Sequence, residues 1–194
     1  MRTFKRICVY CGSSPGRDIR YLEAAREVGV FLAGRGLDVV YGGGRVGMMG
    51  AVADGALSAG GKVIGVIPEK LREKELAHAG LSELYVVDSM HARKTMMAAL
   101  SDGFWGLPGG WGTLEEVFEV TTWSQLNYHR KPVGLLNING YFDKLIEFFN
   151  YACAEGFIRP AHRPLIQSAK APEVLLDLMA HVDIPDMGKW IERP

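Results

Sequence analysis

A doubly wound α/β domain, Rossmann-like and built on a parallel sheet, is the expected fold. Three features carry that expectation. Short apolar runs recur along the 194 residues, each ended by glycine or proline. These runs lack clean polar/apolar alternation, as strands covered on both faces do. Helix-length segments separate most of them, and alternation of this kind produces a parallel sheet with helices on both sides. At this length a single domain over 1–194 is expected, with 183–194 as an extended tail.

The elements follow in order. Strands are expected at Arg6–Cys11, Leu37–Gly42, Lys62–Ile67, Leu84–Asp88, Gly103–Leu107 and Pro132–Asn137. Arg20–Gly36 has apolar residues at helical spacing and stops at a glycine, as does the small-residue segment Gly47–Gly61. Further helices are expected at Met90–Asp102, Thr113–His129, Tyr141–Gly156 and Pro172–His181.

Composition removes several classes of function. With 22 basic and 22 acidic residues the net charge is zero, so neither a nucleic-acid binder nor a membrane-surface protein is expected. No apolar run approaches the roughly 20 residues of a membrane helix, and "MRTFKRICVY" has no signal-peptide core. Cys8 and Cys11 are spaced C-x-x-C, but no second pair completes a metal site. They read as reduced, buried thiols, and with Cys153 they suit a cytoplasmic protein. No metal and no cofactor is expected, since no H-x-x-H or H-E-x-x-H pattern occurs.

In an open sheet, ligands bind beyond the carboxyl ends of the strands, which directs attention to three loops. "CGSSPG" (Cys11–Gly16) can offer backbone N–H groups and hydroxyls, at Gly12 and Ser13 first, to an anion; it equally suits a strand-to-helix turn. "YGGGRVGMMG" (Tyr41–Gly50), with Gly43 and Gly44, matches G-x-G-x-x-G at Gly42, Gly44 and Gly47. That fingerprint normally follows the first strand, and no acidic residue ends the next one, so phosphate binding is the stronger reading and a full NAD site the weaker. "LPGGWGTLEE" (Leu107–Glu116) is a second glycine-rich turn at a helix start. Two such turns on one sheet edge suggest a phosphorylated small molecule held between loops.

Two carboxylates follow. Thr113 and Glu116 form T-x-x-E, either a capping box with Glu115 solvated or a pair of carboxylates placed at a cleft mouth. "DSMHARK" brings Met90, His91, Arg93 and Lys94 to another helix start, where positive charge opposes the helix dipole and calls for an anionic partner. Trp111 could stack on a base or pack locally.

"YGGGRVGMMG", "MHARK" and "PGGWGTLEE", in this order and spacing, resemble the Lonely Guy (LOG) family of cytokinin riboside 5′-monophosphate phosphoribohydrolases. "VYCGSSPG" and "KPVGLLNINGYFDKL" are also similar, so the resemblance runs from about Lys5 to Gly156 or further. Members often carry the label lysine decarboxylase, yet no pyridoxal-phosphate site is recognisable here. The resemblance implies hydrolysis of the N-glycosidic bond of an adenosine-type 5′-monophosphate to free base and ribose 5-phosphate. It implies Arg93 and Glu116 as the catalytic pair, and substrate contacts at Glu75, Lys94, Gly109, Gly110, Trp111, Gly112, Thr113, Glu115 and Thr121. It also implies a homodimer with the site near the subunit interface. An AMP nucleosidase-like salvage enzyme and a non-catalytic nucleotide-binding module are the competing readings.

Overall fold

The computed structural model describes residues 1–72 and 77–185. Glu75 and residues 186–194 of the expected tail therefore lie outside the described residues. Seven parallel strands form one sheet in the order β4-β3-β2-β1-β5-β6-β7. They are β1 (Arg6–Tyr10), β2 (Asp38–Tyr41), β3 (Val63–Pro68), β4 (Glu83–Val87), β5 (Gly103–Gly106), β6 (Val133–Leu136) and β7 (Ile166–Ala169). The helices are α1 (Arg20–Gly34), α2 (Gly47–Ser58), α3 (Glu69–Arg72), α4 (Met90–Leu100), α5 (Trp111–Gln125), α6 (Asp143–Ala154) and α7 (Pro172–His181).

The period of two along each strand divides the core. Ile7 and Val9 of β1 face one layer with Val39, Tyr41 and Trp105, covered by α1, α2 and α7 through Val28, Leu32, Val52, Leu175 and Met179. Cys8 and Tyr10 face the other layer with Val40, Ile64 and Phe104, covered by α4, α5 and α6 through Met97, Val117, Val120 and Phe149. Register pins the centre: Cys8 lies opposite Val40 on one side and Phe104 on the other.

Two expectations are corrected. β4 is not buried on both faces; it is an edge strand, and Leu84, Tyr85 and Val86 are exposed. A seventh strand, β7, was not anticipated, because Gln167 and Ser168 break the apolar run and the strand is only half-buried at the opposite edge.

The topology fixes the location of the site. The chain moves outward from β1 through β2 and β3 to β4, then returns through α4 to β5 on the other side of β1. The strand order reverses between β1 and β5, and a crevice opens beyond their carboxyl ends.

Candidate active site

The loops that follow β1 and β5 meet at this reversal. The Gly12 N–H donates to the Pro108 carbonyl at 3.0 Å. A Cβ on Gly109 would stand 2.1 Å from Thr113 Oγ1 and 2.8 Å from the Gly12 nitrogen, so glycine is required by the close approach of the two loops. Tyr141 donates its hydroxyl to the Gly109 carbonyl at 2.6 Å and clamps the turn from the far side.

α5 then begins at Trp111, with Gly110 as an extended N-cap that makes no side-chain cap bond. Of the two readings of T-x-x-E, the one with Thr113 as the N-cap does not hold, since the helix starts two residues earlier. Thr113 sits inside the first turn, buried against Gly109, because tertiary packing of the two loops overrides the local pattern. Glu116, three residues on, lies on the wall of a cleft of about 330 Å³. That cleft is lined by Cys11, Gly12, Ser13, Met49, Leu71, Met90, Arg93, Gly110, Trp111, Gly112, Thr113, Glu115 and Glu116. Backbone N–H groups in the first turn of a helix lack intrahelical acceptors, and the dipole adds partial positive charge. Four of the lining residues, Gly110 to Thr113, make up that turn, so this end of the cleft suits a phosphate.

α4 supplies the opposite wall. Ser89 caps it, its hydroxyl accepting from the Ala92 N–H at 3.1 Å. Arg93 is 5% exposed. Its Nε donates to the Val66 carbonyl at 3.1 Å and one terminal nitrogen donates to the Gly42 carbonyl at 3.0 Å, which fastens the guanidinium to the ends of β3 and β2. A Cβ on Gly42 would stand 2.0 Å from that nitrogen. The anionic partner expected for Lys94 lies within the protein. Its ammonium bridges Glu115 at 2.5 Å and Glu119 at 3.0 Å. His91 is on the exposed face of α4.

Glu116 also makes itself felt in the ionisation of β1. Burial pushes the Cys8 and Cys11 thiols and the Tyr10 hydroxyl well up, and the negative charge of Glu116 adds to all three shifts. The carboxylate therefore sits beside the end of β1, among groups that stay protonated at neutral pH. Cys11 is a neutral wall of the cleft rather than a nucleophile; its place at a strand end on the switch point is the signal that marks it.

The remaining expected residues are distributed otherwise. Gly12, Ser13, Met90, Arg93, Gly110, Trp111, Gly112, Thr113, Glu115 and Glu116 come together in the cleft. Gly109 lines an adjoining cavity of about 360 Å³ that shares Gly12, Ser13 and Gly110 and has Tyr21, Met48 and Tyr141 in its wall. Gly43 and Gly44 face residues 77–78 instead: the Gly43 carbonyl accepts from the His78 N–H, and Gly44 bridges to Ala77. Gly47 abuts the Ser13 carbonyl, where a Cβ would stand 2.3 Å away. The G-x-G-x-x-G spacing thus serves Arg93 and loop-on-loop packing. Thr121 lies a turn and a half beyond Glu116 on an apolar groove with Phe118, Gln125, Phe149 and Ile158.

Known proteins are similar to this chain in architecture and in sequence. Over 92% of this chain and 96% of its own, the molybdenum cofactor binding protein of Rippkaea orientalis superposes with a TM-score of 0.67 at 26% identity. The molybdenum cofactor carrier protein of Chlamydomonas reinhardtii gives 0.67 at 24%, covering 93% and 100%, and shows the fold alone. The family model described as "Possible lysine decarboxylase" matches residues 49–179. Cytokinin riboside 5′-monophosphate phosphoribohydrolase LOG1 of Arabidopsis thaliana is 49% identical over 89% of this chain and 81% of its own length. Cytokinin riboside 5′-monophosphate phosphoribohydrolase LOG of Oryza sativa is 47% identical over 95% and 77%. The chain belongs to the Lonely Guy family, the family covered by that model and by these phosphoribohydrolases.

Proposed function

We propose that this chain hydrolyses the N-glycosidic bond of adenosine-type nucleoside 5′-monophosphates, including N6-modified ones, releasing the free base and ribose 5-phosphate. One observation carries the reading: Arg93, Glu116 and the first turn of α5 line the same cleft at the sheet's switch point. The amides of Gly110 to Thr113, with Gly12 and Ser13 opposite, would receive the 5′-phosphate. The ribose would then lie along α5 towards Glu116. As the C1′–N9 bond breaks, positive charge builds on the sugar, and the Glu116 carboxylate is placed to stabilise it. Water adds to C1′ and its proton passes to Glu116; the same proton is then handed to the nitrogen of the departing base, which returns Glu116 to its carboxylate. Arg93, fixed by two carbonyls, would orient the substrate's oxygens or Glu116.

The chain would act as a homodimer in the cytoplasm. Phe118 is exposed on the apolar groove that holds Thr121, and Phe148 and Tyr151 of α6 and Phe157 after it are exposed beside Phe149 and Ile158, which line it. A second copy seated there would cover them and bring Thr121 towards the partner's cleft. Three free cysteines suit a reducing compartment. Among the described residues no helix is long and apolar enough to cross a membrane.

Incubation with isopentenyladenosine 5′-monophosphate and, separately, with AMP tests the reading by chromatography of the released base. Release from either substrate is expected, and the ratio of the two rates reports the preference at N6. Nucleotide binding with no release from either would contradict the hydrolase and leave a binding module.

A further inference from the structure

Three carboxylates crowd the first half of α5. Glu116 and Glu119 are three residues apart and Glu115 and Glu119 four, spacings that place them side by side on the helix surface, where like charges repel. Such a neighbour raises a carboxyl group's affinity for its proton. A buried lysine answers two of them. Lys94, on α4, lies 2.5 Å from Glu115 and 3.0 Å from Glu119, with its side chain 10% exposed. Burial opposes its charge, and the hydrogen bonds that it donates to Glu115 and Glu119 outweigh that, holding Lys94 above the usual lysine range. The second oxygen of Glu119 is buried and has no hydrogen-bond partner among the described residues. Tyr10, across from α5 on β1, feels the charges of both Glu116 and Glu119, so the two carboxylates converge on the same side chain.

We propose that Lys94 and Glu119 are positioning residues that set the charge state of Glu116 from outside the cleft. Neither of them lines it. Around Glu116 stand Cys8 and Tyr10 of β1 and Cys11 just after it, all of which feel its charge, Arg93 of α4 on the same cleft wall, and Glu119 one turn further along α5; Lys94 and Glu115 reach it through Glu119. Cys8, Tyr10 and Cys11 stay neutral through the working range, because burial raises all of them. Arg93 and Glu115 are part of the cleft wall. Lys94 and Glu119 therefore form an adjustable charge pair: Glu119 pushes the proton affinity of Glu116 up, and Lys94 pulls it down. Lys94 also holds α4, which carries Arg93, against α5, which carries Glu116. This assigns Lys94 a role other than the substrate contact that the family resemblance implies.

The catalytic consequence rests on the hydrolase reading above; the titration of Glu116 does not. The test is therefore read in two ways. Carbon-13 spectra of glutamate-labelled protein, with the Glu116 signal identified by its loss in Glu116→Gln, follow the titration directly. The acidic limb of the kcat profile follows it in turnover. Glu119→Gln keeps an acceptor for Lys94 and removes the charge, so the Glu116 midpoint should fall by about half a unit to one unit. Lys94→Met should raise it by a similar amount, and Lys94→Arg should restore it. The acidic limb should move with the midpoint in each case. A purely structural role would lower the melting temperature of both variants and leave the midpoint in place. An unmoved midpoint, or one moving in the same direction in Glu119→Gln and Lys94→Met, would overturn the proposal. Should Lys94→Met fail to fold, Glu119→Gln and Lys94→Arg decide it. Midpoints that move as expected in a protein that releases no base would uphold the charge coupling and sink only the hydrolase reading.

Discussion

Arg93 owes its position to a missing atom. Its guanidinium occupies the volume that a Cβ on Gly42 would fill. Gly42→Ala should therefore displace Arg93 while changing little else, and kcat/KM should fall by at least about tenfold in a protein that still folds, as misplacing a positioned group does. Steady-state kinetics together with a melting curve would check this. Trp111 presents the opposite case. It is 89% exposed at the cleft mouth, so local packing does not account for it. Trp111→Ala should leave the melting temperature within about 1–2 °C, because surface changes away from special features shift stability little. The same change should raise KM severalfold if the indole covers the bound base, and an unchanged KM would remove it from the site. Both residues stood out in the sequence. The role of Gly42 did not, because its neighbour is 51 positions away and only the fold brings them together.

At the scale of elements, α5 shows where local pattern and tertiary structure part. T-x-x-E reads as a cap, yet the helix starts two residues earlier and Thr113 is spent on loop packing. Glycine at 110 and 112 hid that start, since both residues favour a turn when read alone. Five of the six expected strands and the final helix were legible because apolar runs punctuated by glycine or proline are strong signals. The sixth, β4, was found, but its exposure was not, because residue type does not reveal which strand lies at an edge. β7 escaped because two polar residues fill half of it. The meeting of the β1 and β5 loops gives a direct test. Gly109→Ala would force a Cβ against Thr113 and Gly12, so a stability loss of about 1–3 kcal/mol in urea titration is expected, with weaker nucleotide binding. An unaffected protein would show that these loops can separate.

Over the whole molecule, the core extends past the end of α5 to His129. This side chain packs against Phe104 with ring centroids 5.3 Å apart. Burial and the charge of Lys131 push its pKa down to about 4. In the unfolded chain it titrates near 6.5. Between those values the unfolded state holds the extra proton, so stability is fully present above about 6.5 and is lost as pH falls towards 4. Unfolding free energies from urea titration at pH 7 and pH 5 should differ in that direction, by about 1–2 kcal/mol, and His129→Gln should flatten the difference. The order of the strands, and with it the switch point that unites Gly12, Arg93 and Glu116, is the part of the fold least visible in sequence. Each of those residues was marked by its own motif, but their convergence depends on β5 crossing to the far side of β1.

The central claim is that Glu116 performs chemistry at a nucleotide cleft rather than ending a helix. The most direct measurement compares wild type and Glu116→Gln for binding and turnover of isopentenyladenosine 5′-monophosphate, with both proteins shown to be folded. Glutamine has nearly the same shape and could still serve as a helix cap. The expected result is unchanged melting temperature, nucleotide affinity within about threefold, and base release reduced by about 100-fold or more, the scale of losing a general base. Base release at the wild-type rate by a folded Glu116→Gln protein would contradict the claim.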